Sequence, residues 1–388
     1  MTASQDEQFM QRALTLARET VALASPNPKV GCVLVSNNEI IAEGAHLYAN
    51  RDHAEVVAIN QARARGLSVA GTTAYVTLEP CSHQGRTGPC SDALIAAGIA
   101  RVVVATEDPN PQVSGRGIAR LRAANIDVTV GTLQQQARDL NEAFAHFIQK
   151  RTPFVTLKAA LSVDGYLAPA AQTRTPNQAY WLTGPAARAE VQRLRHASDA
   201  VLTGIGTVLA DDPALTDRSG ILGPNGQLRR QPLLRVVLDS KLRIPLTSHL
   251  VQSVDKDLLI FTSPTAQDEK MEALRERGAE IEIAAERSGG LNLSAILDTL
   301  AERNILSVLL ECGSHLNGAF LRQDLVDKAI LFYSETELGA QSIPFAEGIA
   351  SPYLFQQSLH RTTRTNFGND ACIIGYLHDP WSPTLSSG

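Results

Sequence analysis

Apolar residues at Met10, Ala13, Leu14, Ala17 and Val21 recur at helical spacing, and Ser25-Pro26-Asn27-Pro28 closes that run by removing donors and fixing φ. A helix is therefore expected to open the chain. Two apolar runs follow, VGCVLV (30–35) and EIIAEG (39–44), on either side of Asn37-Asn38. Asparagine tolerates the positive φ of a tight turn, so the pair reads as a hairpin. Helix and strand patterns then alternate: a helix from about His53, a strand TAYVTL (73–78), a helix after Cys90, a strand RVVVAT (101–106), a helix near 116–124 and a strand IDVTV. This order predicts an α/β sandwich.

Residues 141–153, ending in Lys150-Arg151-Thr152-Pro153, break the alternation and are the expected boundary between a domain over 1–150 and a second over 151–376. Beyond it FVTLKAAL, a helix over 186–195, AVLTGIG, LLRVVLD, DLLIFT, a helix near 267–277, LSVLLECG and KAILFY alternate again, so the second domain is also expected to be α/β. No internal repeat is visible. Residues 219–229 read as a surface loop, and the tail 377–388 is expected to be disordered.

A chain of 388 residues exceeds what a single core usually fills, in agreement with two domains. With 44% hydrophobic and 19% charged residues, it has the composition of a soluble globular protein. A net charge of −5 and a pI near 6.0 provide no basic face for a polyanion, which disfavours nucleic acid or an anionic membrane as partner and favours a small molecule. The N-terminus lacks a basic start followed by an apolar segment, and no window approaches ~18 uninterrupted apolar residues, so a cytoplasmic location is expected. The five cysteines, at 32, 81, 90, 312 and 372, are scattered, which favours reduced thiols and metal binding over disulfides. Taken singly, Cys32, Cys312 and Cys372 read as small core residues.

The remaining two cysteines belong to a richer pattern. His53-Ala54-Glu55 stands at a loop-to-helix entry, Pro80-Cys81 follows a strand, and Pro89-Cys90 precedes the next helix. One imidazole and two thiolates match a catalytic zinc, which takes three protein ligands and keeps one position for water. Water activated there attacks an amino-bearing carbon, and a carboxylate off the metal moves the protons. Glu55 is the candidate, provided that it lies at the helix entry, because residues i and i+2 do not share a face inside a helix. Residue chemistry alone thus gives a deaminase of an amino-heterocycle.

General deaminase patterns place two residues between the cysteines, whereas eight intervene here. With SPNPKVGCVLV, HAEVVAI, TLEPCSHQGRTGPC and EDPNPQVSGRG, residues 8 to 150 resemble the deaminase domain of the bifunctional riboflavin-biosynthesis deaminase-reductases, a cytidine-deaminase-like αβα sandwich. The resemblance implies that Asn27, His46, His83 and Arg86 contact a pyrimidine carrying a ribose phosphate, with the Arg86 fork on the phosphate. Glu79 of LEPC is left out of the catalytic set, since a strand-end carboxylate can simply accept from backbone amides. Val57 stands where the family more often carries a second His.

In the second half, GIG (204–206) and ECGSH (311–315) are glycine-containing turns after strands, able to admit a phosphate to helix amides. KAALSVDG, YWLTGPAARAEVQRLR, SDAVLTGIGTVLADDPALT and LLECGSHLNGAFL, in that order over about 153–376, look like the same family's reductase domain, which is similar in fold to dihydrofolate reductase and uses NADPH. The resemblance implies substrate binding by Arg195, Leu215, Arg218 and Glu311, with Lys158 and Asp164 nearby. It implies NADPH binding by Trp181, Thr207, Asp211, Ser240 and the turn Gly313, Ser314, His315, Leu316, Asn317 and Gly318. Ala179 replaces a usual Ser, Tyr166 replaces a usual basic residue, and ETELGAQ stands where a Pro-Lys-Leu-Leu-Gly run is usual.

The resemblance as a whole implies two successive reactions: hydrolytic deamination of 2,5-diamino-6-(5-phosphoribosylamino)pyrimidin-4(3H)-one, then NADPH-dependent reduction of the ribosyl side chain to ribityl. It also implies a homo-oligomer, at least a dimer. Three rivals are a nucleoside or tRNA deaminase, a scaffold in which zinc serves folding only, and an active deaminase whose second domain is a non-catalytic binding module.

Overall fold

A computed structural model of the chain describes residues 2–83, 88–111, 113–174, 180–287 and 290–382. It divides into two compact units. The first comprises Met1–Lys150 together with Ile221–Gln231 and the chain end from Trp381; the second comprises Arg151–Gly220 and Pro232–Pro380. The expected single cut near 150 omits both returns of the chain to the first unit.

In the first unit, α1 (Ala3–Arg18) begins with a Thr2–Gln5 capping box and buries Met10, Ala13, Leu14 and Ala17. The hairpin β1 (Gly31–Ser36) and β2 (Glu39–Ala45) turns through Asn37 and Asn38, both at positive φ. With β3 (Thr73–Val76), β4 (Arg101–Val104) and β5 (Asp127–Val130) it forms a sheet of order β2-β1-β3-β4-β5, in which β3, β4 and β5 run parallel. Side chains alternate along β1. Cys32 and Leu34 pack with α2 (Ala54–Ala64), α3 (Cys90–Ala96) and α4 (Arg116–Ala123), while Val33 and Val35 pack with α1 and α5 (Gln134–Leu140). The αβα sandwich follows from that alternation.

Two glycines set the helices close to the strands. A Cβ on Gly44 would lie 2.1 Å from the Ala54 carbonyl oxygen, and one on Gly117 would lie 1.9 Å from that of Pro80. The first seats the opening turn of α2 directly on β2, and the second seats α4 against the segment before Cys81.

The 141–153 stretch is mostly helix, α6 (Glu142–Lys150), not a break. Asn141 interrupts the periodicity because its side chain pairs with the Lys29 backbone on both sides, at 2.8 and 3.0 Å. Residues 377–382, expected to be disordered, are held: the Leu377 amide donates to Asp327 O at 2.8 Å, and Trp381 Nε1 donates to Arg138 O at 3.1 Å. The Arg138 guanidinium lies 5.2 Å from the Trp381 ring centroid, so an aromatic face and one donor anchor the end. Residues 383–388 lie outside the described residues.

The second unit has strands β6 (Phe154–Leu161), β7 (Ala200–Gly204), β8 (Leu234–Leu238), β9 (Leu258–Thr262), β10 (Glu280–Ile283), β11 (Ser307–Leu310), β12 (Lys328–Tyr333), β13 (His360–Phe367) and β14 (Asp370–Tyr376) in one nine-stranded sheet. Their order is β10-β9-β8-β7-β11-β6-β12-β14-β13, parallel from β10 to β12 and closed by an antiparallel hairpin. Helices α7 (Pro185–Ala197), α8 (Ile205–Asp211), α9 (Asp268–Arg275), α10 (Leu293–Glu302) and α11 (Ser314–Arg322) cover both faces. Among the described residues no helix is long and apolar enough to cross a membrane.

Candidate active sites

His53 is the N-cap of α2 with extended φ and ψ, and Glu55 follows in the first turn, which is the entry geometry their spacing requires. Cys90 opens α3, and Cys81 lies in the loop beyond β3. The three donor atoms lie within 4.8 Å of one another. His53 Nδ1 is 3.0 Å from Cys90 Sγ and 3.5 Å from Cys81 Sγ, and the Cys90 amide donates to Cys81 Sγ at 3.3 Å. Hydrogen bonds from Cys90 and His53 pull the Cys81 thiol down to about 4, into the thiolate form that binds metal.

Glu55 is 3% exposed, and burial pushes its carboxyl up to about 7 against the opposing pull of His53. Its Oε2 is buried with no hydrogen-bond partner among the described residues. Buried carboxylate oxygens are rarely left so. An orphaned acceptor beside one imidazole and two thiols fits a catalytic zinc with its water, and fits poorly a closed structural site, which takes four protein ligands.

Asn27 and His46 are brought together at this site. Asn27 Nδ2 lies 2.9 Å from His46 Nε2, and His46 Nδ1 lies 2.9 Å from the Asp52 carbonyl. Since that carbonyl only accepts, Nδ1 carries the proton and Nε2 accepts from Asn27. The His46 and His53 rings meet edge to face, centroids 5.3 Å apart. His83 is exposed at the end of the described Cys81–His83 segment, and Arg86 lies outside the described residues. Val57 sits on α2 at the contact with Gly44.

Glu79 caps backbone. Its two oxygens accept from the amides of Asp108, Gly115, Gly117 and Ile118 at 2.8 to 3.2 Å, which ties the EDPNPQVSGRG segment to the end of β3. Replacing Glu79 by Ala is expected to cost on the order of 3 kcal/mol of stability in urea unfolding, because four backbone donors, two of them buried, lose a charged acceptor. Sequence reasoning passed over Asp108, which this segment buries; burial raises its carboxyl to about 6 despite the Asn110 amide it accepts.

The second unit holds a cavity of about 1690 Å³. At its floor the adjacent strands β6 and β11 place Lys158 beside Glu311, Nζ to Oε2 4.0 Å, and α7 brings Arg195 onto both Glu311 oxygens at 2.6 and 3.0 Å. Burial alone would raise Glu311, but Arg195, Lys158 and Arg218 outweigh it and hold it lowered. Burial lowers Lys158, with Glu311 opposing. Leu215 and Arg218 also line the cavity, on a segment held to α7 by Arg195 Nη1 on Thr216 O, by Gln192 Oε1 on the Arg218 amide and by the His196–Asp217 pair at 2.9 Å.

Trp181, Thr207, Asp211, Ser240, Gly313, Ser314, His315 and Leu316 line the same cavity. Trp181 is 66% exposed, under the Arg188 guanidinium, and Asp211 pairs with Arg174. Gly313 precedes α11, so that helix opens its first turn toward the cavity, and Ser314 Oγ is buried with no hydrogen-bond partner among the described residues. These features fit a dinucleotide with its phosphates near 313–316.

Three implied contacts do not line it. Asn317 is fully buried and donates from Nδ2 to Phe345 O at 2.9 Å, and a Cβ on Gly318 would lie 2.1 Å from Glu347 O; both face packed chain. They lie one turn further along α11, beyond the 313–316 end that faces the cavity. Asp164 accepts from the Leu338 and Gly339 amides, so it anchors the ETELGAQ segment. Ala179 lies outside the described residues, and Tyr166 donates its amide to Ser162 Oγ at 2.9 Å. Sequence reasoning missed the cavity-lining Arg174, Arg188, Gln192, Arg243 and Arg287. The spacing of Arg188, Gln192 and Arg195, four then three residues apart, marks one helix face and could have found two of them.

Residues 153–373 match the RibD C-terminal domain family, and residues 3–106 match the cytidine and deoxycytidylate deaminase zinc-binding region. The riboflavin biosynthesis protein RibD of Escherichia coli (strain K12) is 40% identical over 383 residues, 95% of this chain and 98% of that protein. That of Aquifex aeolicus is 39% identical over 375 residues, with the same coverage. Among solved structures, Acinetobacter baumannii RibD aligns with TM-score 0.80 at 36% identity over 97% of this chain and 99% of that one. A Thermotoga maritima diaminohydroxyphosphoribosylaminopyrimidine deaminase/5-amino-6-(5-phosphoribosylamino)uracil reductase aligns with TM-score 0.79 at 33% identity over 96% and 99%. With that identity over nearly its whole length, a deaminase zinc site in one unit and a dinucleotide cavity in the other, the chain belongs to the RibD family of bifunctional riboflavin-biosynthesis deaminase-reductases.

Proposed function

We propose that the two units act in turn on one phosphorylated substrate: the first hydrolyses the 2-amino group of 2,5-diamino-6-(5-phosphoribosylamino)pyrimidin-4(3H)-one, and the second reduces its ribosyl chain to ribityl with NADPH. The orphaned Glu55 Oε2 beside His53, Cys81 and Cys90 carries the first half of this reading. Zinc held by those three residues supplies the Lewis acid that makes water a nucleophile at neutral pH. Glu55 Oε2 takes one proton from the attacking water and returns it to the departing nitrogen, so that one water is consumed and one ammonia released. The Asn27–His46 pair holds the pyrimidine: with its amide nitrogen on His46, Asn27 turns its Oδ1 to accept from ring substituents. His83 and Arg86 meet the ribose phosphate.

In the second unit, the Arg195-clamped Glu311 carboxylate and the Lys158 ammonium orient the opened ribose hydroxyls, with Leu215 and Arg218 on its other side. NADPH supplies the hydride. The residues 313–316 hold its phosphates, Trp181 and Thr207 its nicotinamide half, and Ser240, with Arg243 and Arg287, its 2′-phosphate. Arg243 and Arg287 are exposed on the cavity. Replacing both by Ala is therefore expected to raise KM for NADPH about 10- to 100-fold while leaving KM for NADH nearly unchanged. We further propose a cytoplasmic homo-oligomer.

Anaerobic incubation of zinc-analysed protein with the diaminopyrimidine ribotide tests the order of reactions. Stoichiometric ammonia before NADPH is added, then NADPH oxidation, is the expected result; NADPH oxidation that precedes ammonia release overturns it.

A further inference from the structure

The segment 221–231 returns from the second half of the sequence to the first unit. It folds into a turn by Gly223 N on Gln227 O and Gly226 N on Gly223 O, both 2.9 Å. A Cβ on Gly223 would lie 2.2 Å from Leu23 Cδ1 and 3.2 Å from Glu19 O, so the turn sits directly against the end of α1. At the far end the Arg230 amide donates to Ala22 O at 3.0 Å, and the Arg230 guanidinium lies 4.4 Å from the Tyr48 ring centroid.

The two stretches so touched, 22–23 and Tyr48, are the supports of the Asn27–His46 pair. The Asn27 amide donates to Ala24 O at 2.9 Å, directly after the strap's seat. Tyr48 donates its amide to Leu23 O at 3.3 Å and opens the short turn Tyr48–Asn50, which leads to Asp52, whose carbonyl accepts the hydrogen bond from His46 Nδ1. A cation over the ring face is attracted to the negative face of the ring. The contact thus bridges the two backbone segments that must keep their spacing for Asn27 to face His46. Glu55 and Cys90 stand instead on α2 and α3, helices held by the core.

We infer that 221–231 is a strap completing the deaminase substrate pocket, and that Arg230, stacked on Tyr48, is a positioning residue for the Asn27–His46 pair; this rests on the reading of that pair as substrate contacts. Arg230 governs substrate affinity, not the metal or the proton transfer.

The test uses the full chain with the diaminopyrimidine ribotide and follows ammonia release without NADPH. Arg230→Ala is expected to raise KM about five- to ten-fold with kcat within two-fold, one zinc per chain retained, and Arg230→Lys restoring most of the loss. Tyr48→Leu is expected to give a similar rise and the double variant no more, since both remove one contact. Unchanged KM in Arg230→Ala, additive losses in the double variant, or a fall in kcat with zinc lost each overturn the inference. Asn27→Ala separates it from the reading beneath: if that variant leaves KM unchanged the substrate contacts are wrong, and if it raises KM while Arg230→Ala does not, the strap alone is wrong.

Discussion

Replacing Glu55 by Gln is expected to slow ammonia release by about 10²- to 10⁴-fold, with zinc retained at one per chain and reduction of the already deaminated substrate unchanged. Glutamine keeps the shape of the side chain, so the three ligands keep their places, but an amide cannot carry the proton from water to the leaving nitrogen. The site gives this substitution its force. Oε2 has no other partner among the described residues, and the buried environment already holds the carboxyl near neutrality, where it can both take and give a proton. Kinetics of ammonia release beside metal analysis check it. Ammonia at an undiminished rate from zinc-loaded Glu55→Gln would assign the proton transfer to another group.

Glu311→Leu is expected to abolish NADPH oxidation, to cost about 3–5 kcal/mol in the stability of the second unit, and to spare ammonia release. Glu311 is the counter-charge for Arg195 and Lys158, and burial makes both cations expensive without it. Its loss leaves Arg195 without the carboxylate that fixes its fork and lowers Lys158 further, because Glu311 is what now opposes that fall. Glu311→Gln keeps the hydrogen-bonding shape and is expected to lose activity with a smaller loss of stability. Denaturant unfolding followed for each unit, with the two activities assayed separately, distinguishes fold from chemistry; a Glu311→Leu protein that still oxidises NADPH at the original rate would remove this carboxylate from the reaction.

The zinc set could be read from residues because metal chemistry restricts it to a few side-chain types, and the helix-entry condition on His53 and Glu55 was a geometric requirement that the fold meets. The continuous apolar run VGCVLV likewise marked a strand, and the fold buries it on both faces. Other parts depend on partners far along the chain. Asn141 looks like a helix breaker, and only its pairing with Lys29 explains why helix resumes beside it. The motif from Gly313 to Gly318 reads as one block in sequence, but its last two residues lie one turn further into α11, where Asn317 meets Phe345 and Gly318 meets Glu347. Asp164 accepts from the amides of Leu338 and Gly339, partners far along the chain that its neighbours in sequence do not reveal. Segment 221–231 has loop composition throughout, and nothing in its letters says which unit it joins.

The first unit is therefore assembled from three separate stretches, the last of them beginning at Trp381. During synthesis the sandwich can collapse once residue 150 has emerged, but the strap follows some seventy residues later and the Trp381 anchor about 230 residues later. Until then the emerging sandwich lacks the Arg230 cover on Tyr48 and the Trp381 cover on Arg138. A message truncated between the units yields a sandwich that never acquires these two covers, and such a fragment is a natural target for quality-control proteases.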